Sequence, residues 1–221
     1  MYCHWYSIFP PFLSFQGDPK TGKTSFVTQF AISKHVTVDI TQRFQSYLIA
    51  DLQIDGNVNS VNLCDTESGD QFSRFRALNF EESDVFLILF SVVNKSSFEN
   101  VSFQWYEEIS FVKPDTPIIL VGTHVDMRNT SDKNHVKPGQ GEMLAAEINA
   151  AKYVEVVSND ASSINSVIED VVRLYRVNPN KKGQKDVFKT PTKTHIRKKS
   201  RSFSSPNSPL SNSYGSKKVR R

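Results

Sequence analysis

A doubly wound α/β domain with a mostly parallel sheet is the fold class this sequence predicts. Three observations carry it: a phosphate-loop pattern at Gly17–Thr24, continuous apolar runs at Val85–Phe90 and Pro117–Gly122, and helical periodicity between the runs. An apolar run without alternation is what a strand shows when helices cover both faces of its sheet. Strands that alternate with helices along the chain then favour a parallel arrangement.

The elements follow in order. Phe12-Leu13-Ser14-Phe15 is short, apolar and strand-like, with Pro10 and Pro11 blunting its start. Gly17-Asp18-Pro19-Lys20-Thr21-Gly22-Lys23-Thr24 fits the pattern G-x-x-x-x-G-K-[ST]. In such a loop the backbone N–H groups wrap the phosphates of a nucleotide, the lysine reaches the β- and γ-phosphates, and the last hydroxyl ligates Mg²⁺. Ser25–Phe30 carries apolar residues at helical spacing, as the helix after such a loop should. Tyr47–Ile54, the turn dipeptide Asp55-Gly56 and Val61–Cys64 read as a hairpin. Helical patterns come at Phe98–Phe111, Glu142–Ala151 and Ile164–Tyr175. The domain predicted from these signals runs from residue 11 to 177, after an irregular N-terminal extension at 1–10 and before a tail at 178–221.

Charge separates domain from tail. Residues 181–221 hold 13 of the 27 Lys and Arg but only Asp186 of the 23 acids, leaving 14 bases against 22 acids elsewhere. An acidic globule with a basic tail is expected, and the tail is where an anionic partner would bind. Its Lys, Ser, Pro and Asn cannot bury enough apolar surface to offset chain entropy, so disorder is the expectation there. Two cysteines, Cys3 and Cys64, are too few for a disulfide framework, which points to a reducing, cytoplasmic setting. The first nine residues lack the basic start and long apolar run of a secretory signal. No stretch approaches the roughly 20 apolar residues of a membrane span.

Several strings resemble the Rho branch of the Ras-like small GTPases: Ser97-Phe98-Glu99-Asn100-Val101, Gln104-Trp105-Tyr106-Glu107-Glu108-Ile109 and Thr116-Pro117-Ile118-Ile119-Leu120-Val121-Gly122-Thr123. With the phosphate loop, Asp65-Thr66 and Lys152-Tyr153-Val154-Glu155, the resemblance covers residues 17–176. It implies the G-domain variant of the phosphate-loop NTPase fold and a GTP/GDP switch that uses Mg²⁺ and whose mobile loops bind effector and regulator proteins. By position, residues Gly17, Asp18, Pro19, Lys20, Thr21, Gly22, Lys23 and Thr24 would hold the phosphates. Thr24 would ligate Mg²⁺, with Asp65 behind the metal through water. Asp126 would read guanine, accepting from the ring N–H and the exocyclic amine, a donor pair adenine does not present. Thr123 and His124 precede it on the base-reading loop, and Val157, Ser158 and Asn159 occupy the loop whose backbone meets the guanine oxygen.

The sequence departs from the family pattern where chemistry would occur. Family members read Asp-Thr-Ala-Gly-Gln at the second switch, whereas this chain reads Asp65-Thr66-Glu67-Ser68-Gly69. Gly69 then stands at the water-orienting glutamine, or Asp70 does after a one-residue insertion; Gln71 takes that role only in a remodelled loop. At the first switch the metal-ligating threonine aligns with Gln42, and Thr41, one residue early, is the substitute ligand or a surface residue. Pro19 and Lys20 replace small residues, with Pro19 near the entry of a stimulating arginine and Lys20 facing phosphate or solvent. His124 replaces the lysine that lies along the guanine plane, and His35 aligns loosely with an aromatic that flanks the base. The inserted helix of most Rho proteins is reduced to a polar loop at Asn129–Gly139. Loss of a group that acts on the transition state costs hydrolysis more than binding, so slow or absent GTP hydrolysis is expected. A scaffold without a nucleotide cycle is the alternative.

The tail carries no cysteine, so prenylation at a C-a-a-X box is not expected. Lys181-Lys182, Arg197-Lys198-Lys199-Ser200-Arg201 and the last five residues would attract anionic lipid at the inner membrane face, by about 1 kcal/mol per basic residue. The same clusters read as a nuclear-import or nucleic-acid patch, or as a solvated tail. Sparse aromatics (Phe188, Phe203, Tyr214) argue against base stacking. Arg201-Ser202-Phe203-Ser204-Ser205-Pro206 resembles the ligands of 14-3-3 proteins, with Ser204 as the phosphorylated residue.

Overall fold

The computed structural model describes residues 10–36, 39–42, 45–157 and 159–177, with the side chains of 39–42, 45–47 and Asp70 outside that description. The chain divides into two units, 1–183 and 184–221, and every described residue belongs to the first. The N-terminal extension before Pro10, the tail from 178 with Ser204, Ser158 and the side chain of Thr41 therefore lie outside the described residues.

Seven strands form one sheet in the order β2-β3-β4-β1-β5-β6-β7. Strand β1 (Phe12–Gln16) lies between β4 (Asn57–Thr66) and β5 (Val85–Ser91), parallel to both. Strands β6 (Ile118–Thr123) and β7 (Lys152–Glu155) continue the parallel side. Strands β2 (Asp39–Gln42) and β3 (Gln45–Ile54) are antiparallel and close the other edge. The β3–β4 hairpin turns at Asp55 (φ 52) and Gly56 (φ 76), two consecutive left-handed residues. That backbone matches the twist of the flanking strands, and an Asp-Gly pair adopts it at little steric cost.

Strand β5 is buried along its whole length, and its side chains alternate between two cores. Val85, Leu87 and Leu89 face α1 (Lys23–Ser33) and α6 (Ala161–Val177) in one cluster. Phe86, Ile88 and Phe90 join Phe80, Trp105, Ile109 and Leu144 in the other. These come from α2 (Ser73–Glu82), the helix after β5, and α5 (Pro138–Glu147). Helix α6 packs a stripe of Ile164, Val167, Ile168, Val171 and Val172, the i, i+3, i+4, i+7 spacing of an amphipathic helix.

The helix expected over Phe98–Phe111 is longer and has three parts: α3 (Lys95–Asn100), a π-helical stretch at Val101–Tyr106 and α4 (Glu107–Val112). The helix expected over Glu142–Ala151 starts earlier and ends earlier, as α5. Pro138 stands in its first turn and Gln140 returns its side chain to the Lys137 N–H, so the start is fixed ahead of the apolar pattern. Asn149, at φ 52, then turns the chain toward β7. Residues 129–137 hold turns and bends without a helix, as the polar loop suggested. Helix α2 carried no apolar stripe, since Phe75 and Leu78 are exposed while Arg76 and Asn79 are buried. No helix among the described residues is long and apolar enough to cross a membrane.

Candidate functional site

The loops that follow β1, β5, β6 and β7 emerge from one edge of the parallel sheet, where open α/β sheets place their ligands. Gly17 leaves β1 at φ 138, and a Cβ there would collide with the Leu89 carbonyl on β5. Only glycine fits so close an approach of two backbones. Gly22, at φ 89, caps α1, and the loop between them is pinned by the Thr21 hydroxyl donating to Asp18 O at 2.9 Å. Pro19 and Lys20 are exposed at the crest, Lys20 in the left-handed region at φ 65.

Lys23 is 7% exposed and donates from Nζ to Gly17 O (2.7 Å), Asp18 O (2.8 Å) and Ser68 Oγ (2.6 Å). Burial pulls its pKa down to about 8, against the opposing pull of Asp65, Asp18 and Glu67. Thr24 is exposed and donates its hydroxyl to Asp65 Oδ2 at 2.6 Å. Burial raises the Asp65 pKa, while the Thr24 bond and Lys23 hold it back. Asp65 Oδ1 is buried with no hydrogen-bond partner.

These groups fit a magnesium polyphosphate. The exposed Thr24 hydroxyl at the helix start would ligate Mg²⁺, and the carboxylate behind it, with one oxygen left without a donor, would meet the ion through water. Among the described residues no cluster of three His, Cys, Asp or Glu forms an all-protein cage. Lys23 and the N–H groups of the loop would hold the phosphates, and Thr24 with Asp65 would hold the ion. When bound, the ion neutralises charge on the terminal phosphoryl groups.

The base side is assembled by β6 and β7. Thr123, 1% exposed at the end of β6, sets its hydroxyl 2.8 Å from Thr21 O and 3.0 Å from Phe90 O, and its one hydrogen, given along the shorter contact, ties the base loop to the phosphate loop directly. His124 follows in the left-handed region at φ 58, its Nδ1 3.1 Å from the Thr123 hydroxyl. Its ring is thus tied to Thr123. Asp126 is exposed in a single turn at Val125–Met127. Val156 N–H donates to Gly122 O at 2.8 Å, carrying the β6–β7 pairing one residue further, and Val157 and the exposed Asn159 follow. Asp160 then caps α6, accepting from the Ser162 and Ser163 N–H groups.

At the second switch, Gly69 is followed by the turn Asp70–Phe72, and the Gln71 amide folds back over it. A Cβ added to Gly69 would lie 2.7 Å from Gln71 Oε1. The backbone of this segment is held by Arg76, which donates to Glu67 O (3.2 Å) and Gly69 O (2.8 Å) and pairs with Glu108 through two bonds of 2.8 and 3.1 Å.

Sequence reasoning missed four side chains that structure this site. Ser68 bonds Lys23 and donates to Gly17 O at 2.8 Å. Asn100 and Trp105 clamp the Asp18 carboxylate, at 2.7 and 2.8 Å. Arg76 lies over the Trp105 ring, 5.1 Å from its centroid. The π-helical stretch, a geometry frequent at functional sites, was the one local signal, and it is visible only in the structure.

The strand order, the loop and its lysine, the Thr24–Asp65 pair and the Asp126 turn agree with one known family. Residues 13–176 match the Ras family, and the chain belongs to it.

Proposed function

We propose that this protein is a guanine-nucleotide switch of the Rho type whose GTP hydrolysis is slow or absent, acting in actin-cytoskeletal or polarity signalling. One observation carries the reading. The groups that would bind nucleotide converge at one sheet edge, while Gly69 supplies no side chain where the family places its water-orienting glutamine. The Rho assignment rests on the strings around Asn100 and Trp105, the two residues that hold Asp18. Partners would be the effectors and regulators of such switches, with 14-3-3 proteins at phosphorylated Ser204. The basic tail supports a cytoplasmic protein held at the inner membrane face.

The test is to purify the protein without added nucleotide, identify what accompanies it, and follow single-turnover GTP hydrolysis. A retained guanine nucleotide, with little cleavage of added GTP, is the expected result. Hydrolysis at an ordinary small-GTPase rate refutes the impaired cycle. A second reading, a scaffold that presents its switch surface without a cycle, is favoured by Phe75 and Leu78, both exposed on α2 beside that switch. Calorimetry showing no heat with GDP or GTP would select it.

A further inference from the structure

We infer that the Ser68 hydroxyl competes with the terminal phosphoryl group of a nucleoside triphosphate for Lys23, and so biases the site toward the diphosphate. The inference rests on the guanine-nucleotide reading above and adds to it a residue that sets nucleotide selectivity.

An ammonium has three N–H donors and no more. In Lys23 two go to the phosphate loop's own carbonyls, Gly17 O and Asp18 O, and the third goes to Ser68 Oγ at 2.6 Å. The carbonyls belong to the loop that carries the lysine. Ser68 does not: it follows β4 on the second switch, 45 residues along the chain. Its own hydrogen is committed to Gly17 O at 2.8 Å, which turns its lone pairs toward the ammonium. A neutral oxygen is thus fixed as acceptor where the outward N–H of the lysine points.

A phosphate oxygen reaching that N–H from the second-switch side must displace Ser68. The family pattern has glycine there, which offers no side-chain acceptor, so the competition is particular to this chain. A triphosphate asks the lysine for two of these donors, through its β- and γ-phosphates, and a diphosphate for one. The displacement cost therefore falls more heavily on the triphosphate. Displaced, the half-buried Ser68 oxygen loses a charged donor, for which water substitutes only in part.

The experiment titrates full-length protein with Mg²⁺ and either GDP or a non-hydrolysable GTP analogue, for wild type, Ser68→Ala and Ser68→Thr. Ser68→Ala should bind the analogue about tenfold tighter relative to GDP, the scale of one hydrogen bond to a charged group. Ser68→Thr keeps the hydroxyl and should match wild type. Melting curves check that the variants are folded. An unchanged ratio, a parallel shift of both nucleotides, or selective weakening of the analogue overturns the inference and leaves the guanine-nucleotide reading standing. Wild type that binds neither nucleotide overturns that reading first.

Discussion

Trp105 donates its indole N–H to the Asp18 carboxylate at 2.8 Å, joining the π-helical stretch to the phosphate loop across 87 residues of chain. Asn100 takes the other oxygen, and Asp18 O is itself an acceptor for Lys23. The backbone that orients the lysine is therefore held from a helix that would not touch the phosphates.

Trp105→Phe keeps an aromatic ring in the core but removes the donor, together with some buried volume and part of the ring beneath Arg76. The orphaned carboxylate oxygen should cost about 1.5 kcal/mol. That lowers Tm by about 4 °C in a domain of this size. Bound nucleotide should also leave faster, since Asp18 steadies Lys23. Stopped-flow release and thermal melting read both effects, and a variant indistinguishable from wild type on each count removes the clamp from the argument.

Arg76 is 1% exposed and links the Gly69 backbone to Glu108 on α4. Arg76→Met retains bulk but strands a carboxylate and two carbonyls. Glu108 keeps 28% of its side-chain exposure, so the loss sits at the low end for broken buried pairs, about 3 kcal/mol. Urea unfolding measures the total. Hydrogen exchange should locate the loosening at 67–72, and protection there equal to wild type would contradict it.

Lys23 gives opposite pH trends for stability and for binding. Its pKa falls from 10.5 in the unfolded chain to about 8 in the fold because burial disfavours the charge. Below about 8 both states carry the proton and nothing changes. Between about 8 and 10.5 the unfolded state holds more protons, so stability of the free protein rises with pH, then levels off. Nucleotide binding requires the charged form, so affinity should fall over the same window and binding should take up a proton. Calorimetry at pH 8.5 in two buffers of different ionisation heat measures that uptake. Identical heats would show that Lys23 stays protonated in the free protein.

Restoring the missing glutamine should restore hydrolysis. In Gly69→Gln the new Cβ lies 2.7 Å from the Gln71 amide, the far end of an exposed, flexible side chain that swings aside at little cost. The variant should therefore gain at least about tenfold in single-turnover GTP hydrolysis, within the range of a positioned polar group. A rate equal to wild type would show that this side chain alone does not rebuild the site.

Asp126 tests base reading. It is exposed, so Asp126→Ala should leave folding intact, with Tm within about 1 °C of wild type. Competition titration should show GTP affinity reduced at least about a hundredfold, with ATP binding unaffected. Equal losses for both nucleotides would assign Asp126 a structural part instead.

What the sequence alone determined is local or compositional. Eight consecutive residues define the phosphate loop, because its geometry depends on glycines and a lysine at fixed offsets. Val85–Phe90 announced a buried strand through its own apolar run, and Asp55-Gly56 announced a hairpin through its backbone preference. The family strings around Asn100 and Trp105 were readable too, but not what those side chains do. Only the tertiary structure decided that Asp18 is clamped, that Ser68 takes the third donor of Lys23, and that Gln71 covers Gly69. Helix α2 escaped notice for a related reason: Arg76 is buried through its pairing with Glu108, on another helix, so no apolar stripe marks its inner face. The first two contacts span 87 and 45 residues and exist because the sheet sets β1 between β4 and β5. Strand order, a property of the whole fold, brings the ends of those strands together, and no spacing within one segment encodes it.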